Sequence, residues 1–259
     1  MPIQWERQGD VGVGVIDRPE RRNALNAELC EELLEHLDAD GGELRAVVIG
    51  GTGEKAFCAG ADLGRRAADT GGLEHGGADS FRPAFEALLD AIVDLDAPVV
   101  AAINGAALGA GMQLAVACDV RVVAPHAVFG IPAARLGVLL SSANVVRLVD
   151  VVGQAVARDV LLTSRSLEID EAERVGLVQR RADDPLEAAR TLAQEIAVLA
   201  PLSISGHKRA LNLIASARAL PVTSRQKLSG LESQAFASGD LQEGLAAFSE
   251  KRPPQFRGE

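Results

Sequence analysis

The sequence predicts an α/β fold, and two features of its apolar pattern support that prediction. Short apolar runs, several of them rich in valine and isoleucine, alternate with longer amphipathic stretches over the first half of the chain. Beyond Leu148 the short runs become scarce and the pattern is mostly helical. With 259 residues, 47% of them hydrophobic, the chain is long enough for one sizeable core and a smaller appendage.

The individual elements follow from the same pattern, taken in order along the chain. The first half is predicted to form a strand at 12–16, a helix at 27–37, strands at 46–49 and 99–103, a helix from residue 110 and a strand at 120–124. The segment 64–77 is polar, glycine-rich and without periodicity, so it is predicted to be a surface loop. The second half is predicted to form helices at 154–162, 169–175, 185–199, 204–217 and 226–236.

Composition and charge narrow the class of protein. A net charge of −10 disfavours nucleic acid as a partner. No apolar run approaches the ~18 residues of a membrane span, and the first residues lack the layout of a secretion signal, so we expect a cytoplasmic protein. Cys30, Cys58 and Cys118 are widely spaced without a Cys-x-x-Cys pair, which indicates neither a disulfide framework nor a metal site.

A glycine-rich turn joins the predicted strand at 99–103 to the helix that follows. Gly105, Gly109 and Gly111 let the backbone pass closely, and the first N–H groups of the helix would point out of the turn towards an anion. The spacing is like that of short-chain dehydrogenases, which suggests a dinucleotide cradle. A tight packing turn is the alternative. Against the cradle, the turn lies beyond residue 100 and the chain contains no tyrosine.

Five segments together resemble the crotonase superfamily, the enoyl-CoA hydratases and isomerases, nearly end to end. They are RPERRNALN at 18–26, FCAGADL at 57–63, APVVAAINGAALGAG at 97–111, ACDVRVVAPHAVFGIP at 117–132 and EKRPPQF at 250–256. The resemblance implies a crotonase-type spiral of repeated ββα units over residues 1–198. It also implies a C-terminal helical region at 199–259 that mediates homotrimers, often paired into hexamers.

The resemblance also implies the parts of a binding site for an acyl-CoA thioester. The backbone N–H groups of Ala61 and Ala110 would form an oxyanion hole for the thioester oxygen. No cofactor is expected to be bound permanently, since coenzyme A arrives as part of the ligand. The residues expected along coenzyme A are Arg22, Ala24, Leu25, Asp62 and Leu63, with Phe248 and Lys251 from a neighbouring subunit.

Three departures from the family pattern decide the expected activity. Gln113 and Ala133 stand where family hydratases carry two glutamates, and neither side chain can exchange a proton near neutral pH. Ser141 stands where some isomerases carry an aspartate, and bulkier residues at 137–148 replace a glycine-rich bend. This pattern resembles that of actinobacterial paralogues that bind acyl-CoA without the glutamates.

The sequence therefore predicts a protein that binds fatty acyl-CoA and lacks normal hydratase activity. Two alternatives stay open. One is an active enoyl-CoA hydratase or isomerase of fatty-acid metabolism that uses a non-standard base. The other is an interaction protein in which acyl-CoA regulates contact with a partner from a lipid pathway.

Overall fold

A computed structural model describes residues 2–40, 42–62, 80–217 and 221–258. The strands in this part of the chain are β1 (Ile3–Gln8), β2 (Val11–Ile16), β3 (Ala46–Gly51), β4 (Ala56–Cys58), β5 (Val99–Ile103), β6 (Ala106–Leu108), β7 (Val120–Val123), β8 (Val128–Gly130), β9 (Ser166–Glu168) and β10 (Arg180–Arg181). The α-helices are α1 (Ala27–Asp40), α2 (Phe81–Asp94), α3 (Ala110–Ala117), α4 (Ser142–Thr163), α5 (Ile169–Arg174), α6 (Pro185–Ala197), α7 (Pro201–Ala217), α8 (Val222–Phe236) and α9 (Gly239–Glu250). Short 3-10 turns span Pro19–Arg21 and Pro132–Leu136.

The strands form two sheets, and the chain alternates between them. The larger sheet has the order β1-β2-β3-β5-β7-β10, with β1 and β2 antiparallel and the other neighbours parallel. The smaller sheet has the order β4-β6-β8-β9, in which β8 and β9 are antiparallel. The pairs β3-β4, β5-β6 and β7-β8 each place one strand in each sheet before the chain continues to α2, α3 and α4. This repeated ββα unit confirms the predicted crotonase-type spiral.

The central strands of the larger sheet are buried on both faces, as their uninterrupted apolar sequences predict. In β5, Val99, Ala101 and Ile103 face a core shared with α1, α2 and α3. Val100 and Ala102 face the opposite side, where α6 packs against the sheet. The helix α6 therefore closes the face of the sheet that lies away from the smaller sheet.

The predicted elements agree with the structure in kind and differ from it in extent. All four predicted strands are present, and each end lies within two residues of the prediction. The helix predicted at 154–162 is the second half of the longer α4, in which Gly153 has a φ of 75°. The prediction omitted α2, α9 and six strands, five of them three residues long or shorter. The predicted loop at 64–77 lies outside the described residues.

The C-terminal helix α9 packs directly on the turn Pro132–Leu136. A side chain on Gly244 would lie 2.6 Å from the backbone of Leu136, and one on Gly137 would lie 2.8 Å from the backbone of Asp240. These two glycines let helix and turn meet backbone to backbone. Within the described ranges, no helix is both long and apolar enough to cross a membrane.

The side chain of Asn23 ties the segment 18–26 to the strands β3 and β4. Its Oδ1 accepts a hydrogen bond from the N–H of Arg18 at 3.0 Å, and its Nδ2 donates to the carbonyls of Thr52 and Ala56 at 2.9 and 2.7 Å. Asn23 is 1% exposed and has a φ of 56°, a left-handed conformation that asparagine tolerates better than most residues. One buried amide thus satisfies three backbone groups from three different segments of the chain.

The start of α3 lies against the end of β4 at a distance that only glycine allows. A Cβ on Gly111 would stand 2.0 Å from the carbonyl oxygen of Cys58, and one on Gly105 would stand 2.6 Å from the backbone of Lys55. Real Cβ atoms do not approach oxygen so closely, so any side chain at these positions would push the two backbones apart. The contact fixes the turn at 105–111 on the strand β4.

We expect Gly111→Ala to destabilise the protein by about 3 kcal/mol or more, because the added methyl must displace the backbone of β4. The matched control is Gly230→Ala, since Gly230 lies within α8 with open space around it. The control should gain about 0.5–1 kcal/mol from helix propensity. Denaturant unfolding at one fixed chain concentration measures both changes. An unchanged midpoint for Gly111→Ala would contradict the close contact.

We expect Asn23→Ala to lower the free energy of unfolding by about 2–4 kcal/mol, because the carbonyl of Ala56 and the N–H of Arg18 lose this partner and the carbonyl of Thr52 keeps only the bond from Asn104 at 3.3 Å. Asn23→Gly loses the same hydrogen bonds but accepts the left-handed backbone, so it should be about 1 kcal/mol less destabilised than the alanine variant. The same unfolding experiment compares the two. Equal stability of wild type and Asn23→Ala would show that the amide does not hold the segment.

Candidate functional site

The segment 22–25 lies beside the segment 59–62 as a short parallel pairing. The N–H of Ala59 donates to the carbonyl of Arg22 at 3.0 Å, the N–H of Leu25 to Gly60 at 2.9 Å, and the N–H of Asp62 to Leu25 at 2.7 Å. The pairing uses the backbone groups on either side of Ala61, so the N–H of Ala61 itself points away from the segment 22–25. The structure thus brings together most of the residues predicted to contact coenzyme A.

Two glycines bring the backbone at Ala61 next to the backbone at Ala110. Gly60 has a φ of 117°, and a Cβ on it would lie 3.3 Å from the carbonyl oxygen of Leu108 and 4.0 Å from the nitrogen of Ala110. Gly109 has a φ of 56°, and a Cβ on it would lie 3.7 Å from the Cα of Gly60. Both conformations favour glycine. The two predicted donor segments are therefore in direct contact.

The N–H groups of Ala61 and Ala110 have no acceptor among the described residues. Ala110 is the first residue of α3, so its N–H is one of the donors that a helix leaves unpaired at its start. The neighbouring N–H of Gly109 is used, since it donates to the carbonyl of Gly130 at 2.8 Å. Two adjacent backbone donors, one with a helix dipole behind it, suit an oxygen that carries negative charge.

Gln113 lies one turn into α3 and folds back over the turn. Its Nε2 donates to the carbonyl of Gly109 at 3.2 Å, and the side chain is partly buried. This bond holds the amide at the end of the helix where Ala110 lies. The amide donates and accepts hydrogen bonds there, but it cannot take up or release a proton near neutral pH.

The positions Ala133 and Ser141 flank the bend that leads into α4. Ala133 is half-buried in the turn Pro132–Leu136 and offers a methyl group only. The hydroxyl of Ser141 caps α4, where it accepts a bond from the N–H of Asn144 at 3.5 Å. The bond is long, and it engages the serine hydroxyl as the N-terminal cap of α4.

Asp62 is paired with a cation that the sequence analysis did not single out. Its carboxylate accepts a bond from Arg18 at 3.0 Å, and it is 8% exposed. Arg18 also donates to the carbonyl of Ala24 at 2.9 Å, so one guanidinium joins both sides of the pairing between 22–25 and 59–62. The signal in the sequence was the first arginine of the RPERRNALN segment. Paired in this way, Asp62 holds the backbone in place.

The cysteine nearest the donor segments offers no reactive group. The thiol of Cys58 is buried and donates to the carbonyl of Gly60 at 3.6 Å, and burial raises its pKa to about 12. Burial also raises the pKa of Cys30, which lies on α1. Both thiols stay protonated at neutral pH, so neither serves as base or nucleophile. Across the described ranges, no cluster of three histidine, cysteine or carboxylate side chains has the arrangement of a metal site.

The remaining predicted residues lie at the edges of this region or outside it. Phe248 is 61% exposed on α9, and Lys251 ends that helix with a φ of 55°. Their helix packs on the turn that carries Ala133 in the same chain. Their contact with coenzyme A across a subunit boundary stays a prediction. Leu63 lies outside the described residues.

The chain is similar to known proteins over nearly its whole length. The model of the family described as "Enoyl-CoA hydratase/isomerase" matches residues 6–259. The chain is 40% identical over 248 residues to the probable enoyl-CoA hydratase echA6 of Mycobacterium tuberculosis, covering 94% of each protein. It is 40% identical over 265 residues to a putative enoyl-CoA hydratase of Thermus thermophilus, covering 98% of this chain and 100% of that protein.

A solved structure shows the same architecture. The crystal structure of the carnitinyl-CoA hydratase from Mycobacterium avium matches 100% of this chain and 99% of its own, with a TM-score of 0.82 and 32% identity. The sequence match, the ββα spiral and the paired backbone segments all indicate the same family. This chain belongs to the enoyl-CoA hydratase/isomerase family and has the crotonase fold that binds CoA thioesters.

Proposed function

We propose that this protein binds fatty acyl-CoA thioesters and hydrates 2-enoyl-CoA thioesters far more slowly than an ordinary hydratase does. The observation that supports the proposal is the pair of N–H groups at Ala61 and Ala110, which lie on backbones in direct contact and have no acceptor in the described part of the chain. The thioester oxygen would accept a hydrogen bond from each. Both donors belong to the main chain, so alanine at these positions leaves the oxyanion hole complete.

The same region lacks groups that move protons. Hydration of a 2-enoyl thioester needs one group to take a proton from water and one to give a proton to carbon. The positions that would supply them carry Gln113 and Ala133. Each missing acid or base is worth ~10²–10⁴ in rate, so losing both leaves binding as the main activity. The carboxylate of Asp62 faces Arg18 and is not placed for this task.

The rival function is enzymatic, and the names of the relatives favour it. Proteins at 40% identity are described as probable or putative enoyl-CoA hydratases. An active hydratase or isomerase with this sequence would need a base other than the two glutamates. Turnover by the wild-type protein separates the two proposals directly.

We also propose that the chain assembles as a homotrimer or a dimer of trimers, as its family resemblance implies. Helix α7 supports this, since it exposes large apolar side chains that a single chain leaves in water. They are Leu202, Leu211, Leu213 and Ile214, each at least 60% exposed. Burial of such a surface between subunits would remove an unfavourable contact with water.

The first test measures binding and turnover together. Calorimetric titration with octanoyl-CoA and dodecanoyl-CoA should show binding, and the absorbance assay with the matching 2-enoyl-CoAs should show very slow hydration. Ala110→Pro removes one N–H donor at a helix position that accepts proline. It should weaken acyl-CoA binding about tenfold.

The control ligand for Ala110→Pro is a thioether analogue of coenzyme A, which lacks the carbonyl oxygen. The variant should bind this analogue as the wild type does. Equal losses for thioester and thioether would contradict an oxyanion role for Ala110. Wild-type turnover at the rate of an ordinary hydratase would overturn the proposed function.

The second test restores the proton-exchanging groups. Gln113→Glu combined with Ala133→Glu should raise the rate of hydration of a 2-enoyl-CoA by ~10²-fold or more, because the oxyanion hole is already present. The control combines Gln113→Glu with Ala133→Gln, which has nearly the same shape and one carboxylate fewer. If the two double variants hydrate at the same rate, missing proton transfer is not what limits this site.

A further inference from the structure

Arg121 is a buried cation within the apolar run that forms β7. It is 4% exposed, and its guanidinium reaches the C-terminal end of α3. Its Nη1 donates hydrogen bonds to the carbonyls of Ala115 and Cys118 at 3.1 and 2.7 Å, and its Nε donates to the carbonyl of Leu177 at 2.6 Å. The last carbonyls of a helix lack partners within the helix. Arg121 therefore caps α3 at the end opposite Ala110.

The guanidinium of Arg121 has no carboxylate bonded to it in the described part of the chain. Its hydrogen bonds all go to backbone carbonyls. The nearby carboxylate of Asp119 is paired with Lys208 at 2.8 Å and also accepts a bond from the N–H of Val99 at 2.7 Å. Burial lowers the pKa of Arg121, but a guanidinium stays protonated near neutral pH. Arg121, Lys208 and Asp119 together place one net positive charge at this end of α3.

Helix α3 connects this charge to its own first residue, Ala110. The helix spans eight residues, which is about 12 Å at about 1.5 Å per residue. All of them except Gln113 are buried, so little water screens a charge along the helix. A cation at the C-terminal end offsets the partial negative charge of the helix dipole there and leaves the positive N-terminal end without its counterpart. The charge of Arg121 therefore acts at the N–H of Ala110.

Capping alone does not require a charge at position 121. Neutral donors, such as a side-chain amide or a backbone N–H group, also satisfy the last carbonyls of a helix. Burying a cation costs more than burying a neutral donor, and the cost is larger when no carboxylate is paired with it. A full charge here is therefore better explained by its effect on an anion than by capping.

We infer that Arg121 makes the proposed oxyanion hole select oxygens that carry a full negative charge, such as the enolate oxygen of an ionised acyl-CoA. It is a positioning residue, since it acts on the oxygen through α3 and the N–H of Ala110. One charge at about 12 Å, at an effective dielectric of about 20, favours a singly charged ligand about tenfold over a neutral one of the same shape. The inference rests on the proposed function, because it assumes that the thioester oxygen lies between Ala61 and Ala110.

The test compares two analogues that differ by one charge. Carboxymethyl-CoA carries a carboxylate near the place of the thioester carbonyl, and carbamoylmethyl-CoA carries a neutral amide of nearly the same shape. Calorimetric titration gives the ratio of their affinities, in which the contribution of the CoA moiety cancels. We expect the wild type to prefer the carboxylate. Arg121→Gln keeps an amide donor for the carbonyls and loses the charge, so it should lower this ratio about tenfold.

Two further variants separate charge from structure. Arg121→Lys keeps the charge and loses most of the hydrogen bonds, so its ratio should stay within about twofold of wild type. Arg209→Gln removes the same charge from a surface ion pair with Asp96, where the arginine side chain is 68% exposed, and should also leave the ratio within about twofold. Equal losses in Arg121→Gln and Arg121→Lys would show that hydrogen bonding sets the preference, and would overturn the inference.

The wild type also tests the inference without any substitution. A preference caused by a buried charge should stay within about twofold between about 0.05 and 0.5 M salt, because mobile ions do not reach the interior. Loss of the preference at high salt would assign it to surface charges and overturn the inference. Binding of octanoyl-CoA without a preference between the analogues would overturn the role of Arg121 and leave the proposed function intact. Failure to bind octanoyl-CoA would overturn both.

Discussion

The close backbone contact between β4 and the turn before α3 is the constraint on which the site depends. Two chain segments that are some fifty residues apart in sequence meet where Gly111 lies against the carbonyl of Cys58 and Gly109 lies against Gly60. No side chain fits between them. Among the described residues, neither the N–H of Ala61 nor that of Ala110 has an acceptor, and hydrogen-bond donors in that state favour an oxygen ligand.

Polar side chains around this contact hold backbone in place. Asn23 satisfies three backbone groups, and Arg18 joins Asp62 to the carbonyl of Ala24. These hydrogen bonds pair buried polar groups with other parts of the chain, which is what stability requires in a dry interior. The cost is that these groups are not available for proton transfer. Under the proposed function, the site recognises a carbonyl oxygen and is poorly equipped for acid–base chemistry.

The sequence predicted the parts of the fold whose signal is local. Val99–Ile103 is buried on both faces of the sheet, as its uninterrupted apolar run predicts. The glycines at 105, 109 and 111 predicted a close approach of two backbones, but they did not indicate that the other backbone is that of residues 55–60. Strands of three residues, such as Ala56–Cys58, were missed because alternation cannot be recognised over so short a length. The edge strand β1 was missed because much of it is polar and exposed.

Long-range pairings escaped prediction for a different reason. Arg18 meets Asp62 across 44 residues, and Glu232 meets Arg82 across 150. Nothing in the local sequence distinguishes these charges from solvated ones, because burial and partner are set only when the helices pack. The sequence motifs indicated the backbone segments of the proposed site, whereas these ion pairs depend on how distant parts of the chain pack together.

The three buried cysteines have a practical consequence. They are all the cysteines of the chain, and each lies in the core with its thiol protonated. The folded protein therefore presents almost no background to maleimide dyes. A single cysteine introduced on an exposed helix would carry one fluorophore at one known place, so the native chain is already suited to site-specific labelling without removal of its own thiols.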